Sequence, residues 1–147
     1  MKNFIIALAL LGTAVSHHAF ADQLPAPEGA KQYFVNLSDG DVVTGPVKVV
    51  FGLSGMGVAP AGVDRPSAGH HHILLNRPPF GQGEDGEEEL TYGVLSDENH
   101  IHYGKGQTEA VLDLPAGTHT LQLVLGDMNH VPFNPPIMSE QITITVN

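Results

Sequence analysis

Residues 114–121, LPAGTHTL, decide the fold. Leu-Pro-Ala-Gly reads as a corner. Beyond it Leu121, Leu123 and Leu125 recur at every second position, the period of a strand that buries one face. A corner of this form leads into the sixth strand of an immunoglobulin-like sandwich, where a Tyr two residues ahead of a core position bonds back to the upstream backbone. Here His119 holds that place, in phase with the leucines. Its ring is expected to satisfy a local carbonyl, a structural role.

Outward from this corner the chain reads as short strands separated by turn residues. Strands are expected at 33–37, 42–43, 47–53, 69–76, 100–103, 108–112, 118–125 and 141–146. The segment 69–76, GHHHILLN, turns apolar on both faces at Ile73, Leu74 and Leu75, which makes it a central strand. Segment 77–89, with two prolines and a Glu/Asp run, is expected to be a long solvated loop, and nothing in the sequence carries a helical period. Segment 83–89 also lacks the ligand spacing of a calcium loop. The pattern implies an all-β fold, an immunoglobulin-like β-sandwich of about seven to nine short strands. It forms one domain over 32–147, preceded by an extended, Pro-rich leader over 22–31.

The N-terminus has the marks of a signal peptide: Lys2, an apolar run over 4–11 too short to span a membrane, and the small–x–small site Ala19-Phe20-Ala21. A cut after Ala21 removes 21 of 147 residues and leaves 126. A cut after Ser16 would instead expose His17 as an amine-and-imidazole copper chelator. The chain is therefore expected to be exported, periplasmic or secreted, and it has no cysteine for a disulfide or lipid anchor. Loss of Lys2 leaves five Lys plus Arg against sixteen Asp plus Glu, a formal charge of −11. That balance excludes nucleic acid and anionic membrane as partners, since both require basic surfaces.

The histidines supply the candidate chemistry. In a strand, His70 and His72 leave one face and His71 the other, and His100 and His102 repeat the spacing. In an immunoglobulin-like sandwich the loops after the second, fourth and sixth strands gather at one end. That places Met56, His70, His72, His102, Met128 and His130 at one pole, with His119 at the other. Imidazole with thioether suits copper, since Met favours Cu(I) and His serves both oxidation states; zinc is the second choice, with Asp127 an available carboxylate. The competing reading is an interaction module for another exported protein or a cell-wall glycan, in which these histidines and Asp127 tie the loops together by hydrogen bonds. Catalysis has no support: there is no cysteine nucleophile and no Gly-x-Ser-x-Gly elbow, and Gly104-Lys105-Gly106 is a hairpin turn rather than a phosphate loop.

Three stretches, APEGAKQYFVNLSDGD, VKVVFGLSGMGVAPAGVDRPSAGHHHILLN and NHIHYGKGQTEAVLDLPAGTHTLQLVLGDMNHVPFNPPIMSEQITITV, carry a resemblance. They are similar to the bacterial domain-of-unknown-function family 4399. The resemblance implies a small exported domain and carries no activity with it.

Overall fold

The structure, a computed structural model, describes residues 23–147 apart from Leu95. The expected signal segment lies outside the described residues. The chain order is β1 (Lys31–Phe34), β2 (Val42–Val43), β3 (Val47–Ser54), β4 (Gly57–Val58), β5 (Ala68–Leu75), α1 (Gly86–Tyr92), β6 (His100–Tyr103), β7 (Glu109–Leu112), β8 (Gly117–Gly126) and β9 (Ile142–Val146). One sheet has the order β1-β3-β7. The other has the order β2-β9-β8-β5-β4, with β6 also paired to β5. The fold is an all-β sandwich, as the sequence leads one to expect.

Alternation explains how the two sheets meet. From β3, Val47, Val49 and Phe51 turn inward, and they meet Ile73, Tyr103, Leu121, Leu123, Ile142, Ile144 and Val146 of the larger sheet in one apolar core. Burying residues of this size contributes roughly 1.5–3 kcal/mol each. His71 also points into this space, where Phe51 packs on its ring and its Nδ1 lies 2.7 Å from Gln32 Nε2. The leader is tied to the domain at its far end: Ala26 N–H donates to Asn134 O at 2.9 Å, and Lys31 already belongs to β1.

Strand β5 is buried along nearly its whole length, because the outer face of the larger sheet is covered too. On that face Leu74 and Val124 pack with Phe80 and Val94 in a second, smaller cluster. Phe80 and Val94 belong to the connection between β5 and β6, and this corrects the expectation of a solvated loop there. The connection contains α1, and its Glu89 is 0% exposed. Arg77 pairs with Glu89 Oε1, Gly81 N–H donates to Oε2 at 2.8 Å, and His100 Nε2 lies 3.0 Å from Oε1. A carboxylate so partnered can be buried, whereas its acidic neighbours Glu84, Glu87 and Glu88 remain in water.

His119 is the corner tether. Its Nε2 lies 2.8 Å from Pro115 O and therefore donates, which leaves Nδ1 to accept from Asn76 Nδ2 at 3.0 Å. Both nitrogens are satisfied, at the end of β8 away from Gly126. His119→Ala is expected to lower unfolding stability by about 1–3 kcal/mol in urea melts, by leaving the Pro115 carbonyl and the Asn76 amide unpaired. Val111→Ala, at a position 65% exposed, should change it by less than about 0.5 kcal/mol. Equal effects from the two substitutions would remove His119 from this role.

Candidate metal centre

Register builds the centre. His72 is paired with His102 across β5 and β6, and His70 with Gly126 across β5 and β8. His70, His72 and His102 therefore share the outer face of the larger sheet, opposite His71 and Ile73. They lie at the end of the sandwich that the loop argument indicates, but outside the core rather than between the sheets. The fourth ring comes from the loop after β8. There Gly126, Asp127 and Val131 bring His130 back over the sheet, and His130 adopts a left-handed backbone, φ +69°.

The four rings form one cluster. One nitrogen from each of His70, His72, His102 and His130 can be chosen so that all four lie within 4.8 Å of one another. Ring centroids are 4.7 Å apart for His70–His72, 4.9 Å for His70–His130 and 4.7 Å for His102–His130. His102 and His130 touch through their Nε2 atoms at 3.1 Å, so that one donates to the other. A tetrahedral zinc with Zn–N near 2.0–2.1 Å needs nitrogens about 3.3 Å apart. The widest separations would have to close by roughly 1.5 Å to give that geometry.

The depth of the rings divides them. His70 and His72 are each 0% exposed, and all four of their nitrogens are buried without a hydrogen-bond partner. His102 and His130 are half-buried and face outward. Burial pushes the His70 pKa down to about 4, helped by repulsion from His130 and His102, and burial with repulsion from His70, His102 and His130 pushes His72 down to about 2. His102 is lowered as well, by burial first and then by His130. The two deep rings are thus neutral well below pH 6.5 and carry free lone pairs, the form in which imidazole binds metal.

Two glycines make room for the rings, a signal that sequence reasoning missed. A Cβ on Gly104 would collide with the His102 ring, and one on Gly126 would lie 2.9 Å from His72 Cε1. The two thioethers fall elsewhere. Met56 packs with Leu53 against Leu125, Phe133 and Ile137 in an apolar cluster, and Met128 lines a surface depression with Leu24, Val63, Asp64 and Arg65. Asp127 does not join the imidazole group. Its carboxylate accepts backbone N–H groups of its own loop instead.

An all-β sandwich that carries a four-imidazole cluster, two rings buried and two half-buried, on the outer face of its larger sheet is the class that fold and site define. The chain belongs to the family described as domain of unknown function (DUF4399), whose profile matches residues 49–147 and so includes all four rings. No curated protein and no solved structure matches the chain.

The depressed pKa values have a sign. Between pH 6.5 and about 4 the unfolded chain takes up protons at His70, His71 and His72 that the folded chain refuses, so stability falls as pH falls through that window. Melting temperatures of the metal-free protein should therefore drop from pH 7 to pH 4, and less steeply in the variant His70→Ala/His72→Ala. Parallel curves for the two proteins would contradict the buried, neutral assignment.

Proposed function

We propose that His70, His72, His102 and His130 hold one transition-metal ion, copper first and zinc second, and that the exported protein acts as a carrier or buffer for it. The observation that carries this reading is the set of unpartnered nitrogens on His70 and His72. A buried polar atom without a partner costs about 1–3 kcal/mol. A network serving only to tie loops together would satisfy those atoms, as the bonds of His119 do. A metal ion satisfies one nitrogen on each ring at once. His71, which also keeps one unpartnered nitrogen, faces the core on the opposite side of the sheet, and His119 is bonded at both nitrogens, so these four are the rings that converge as a ligand set.

The donor set bears on the metal. With Met56 and Met128 packed elsewhere, the ranking of copper rests on the Irving–Williams order, in which Cu(II) binds a nitrogen site more tightly than Zn(II). Four protein ligands fill a tetrahedral ion and leave no position for a substrate, which favours binding and delivery over hydrolysis. The half-buried His102 and His130 are the side from which an ion enters and leaves. The acidic chain, with formal charge −10 before any cleavage, attracts cations toward it.

Calorimetric titration of metal-free protein with Cu(II) and Zn(II) is expected to give one site per chain, tighter than about 10 μM. His70→Ala/His72→Ala should abolish it, and His119→Ala should leave it unchanged in the folded fraction. Absence of binding at that level in the parent protein would overturn the reading in favour of an interaction module.

A further inference from the structure

The ligand loop poses a separate question. Three of the four rings stand on strands, where the ladder sets their direction. His130 stands on a tight loop in a left-handed conformation that non-glycine residues adopt only under strain. Something must hold it there.

We infer that Asp127 is the residue that positions His130 for the metal, without being a ligand itself; this rests on the metal-binding reading above. Asp127 is 5% exposed. Its Oδ1 accepts Asn129 N–H at 2.8 Å and Val131 N–H at 2.9 Å, the amides on either side of His130. The Asp127 backbone closes the same loop, because its N–H donates to Val131 O at 2.9 Å and its carbonyl accepts His130 N–H at 3.1 Å. One residue thus grips the loop at four points and turns the peptide between them into the left-handed bend. The bend is completed from outside by Val94 N–H, which donates to His130 O at 2.9 Å. A single acceptor oxygen does this work, so geometry and not negative charge is what His130 requires.

That distinction gives the test. Asp127→Asn keeps an oxygen at the same reach and should retain Zn(II) affinity within about threefold. Asp127→Glu keeps the charge but moves the oxygens by a methylene. It should weaken Zn(II) binding by about 10- to 100-fold, the effect usual for residues that orient a ligand. His130→Ala should weaken binding as much, and Asp127→Glu should add little on top of it. The Co(II)-loaded proteins should divide the same way, with the intense four-coordinate absorption kept in Asp127→Asn and lost in Asp127→Glu and His130→Ala. Ring–ring nuclear Overhauser contacts between His130 and His70 in the metal-free proteins should follow the same division. Equal weakening by Asn and Glu, or full additivity with His130→Ala, would overturn the positioning role. A parent protein that shows those ring contacts yet takes up no metal would overturn the metal reading and leave the placement of His130 standing.

Discussion

Burial of His70 and His72 without partners is the constraint around which the rest of the molecule is arranged. Both rings leave the outer face of β5, a strand flanked by β8 on one side and by β4 and β6 on the other. That face is then sealed by the β5–β6 connection and by the loop after β8. Water is thereby kept from four ring nitrogens, and protonation, the usual escape for an unsatisfied imidazole, is opposed by the same burial. A site so built is costly when empty. Under the proposed function, that cost is recovered as affinity when an ion arrives.

The surrounding devices serve this one face. Gly104 and Gly126 leave the volume that the His102 and His72 rings occupy. The buried Glu89 ties Arg77, at the start of the β5–β6 connection, to His100 of β6, and further along the connection Val94 reaches the His130 carbonyl. The same connection therefore covers the cluster's flank and touches the backbone of its fourth ring. The sandwich core on the opposite side, from Val49 to Ile144, supplies the rigidity against which these parts are set.

Much of this was legible in the sequence, and for definite reasons. Two-residue alternation places β3, β5, β6 and β8 to within about a residue, and an immunoglobulin-like loop arrangement brings His70, His72, His102 and His130 to one end of the sandwich. Helix α1 was not legible, because seven residues are too few to display a period and its Glu-rich composition resembles a solvated face. What buries Glu89 is its pairing with Arg77 and His100, residues 12 and 11 positions away, and tertiary contacts of that kind leave no local trace. The thioethers misled for a related reason. Loop position brings Met56 near the correct end of the sandwich, but only packing decides that it joins Leu125 and Phe133. Asp127 looked like a donor from its type and neighbourhood, whereas its use in the loop depends on backbone geometry that spacing does not reveal.

X-ray absorption at the zinc edge of protein loaded with one equivalent of Zn(II) addresses the central claim most directly. The account predicts a four-coordinate ion with Zn–N distances near 2.0–2.1 Å and the multiple-scattering pattern of four imidazoles. A spectrum dominated by oxygen ligands, or one with two imidazoles or fewer, would contradict it.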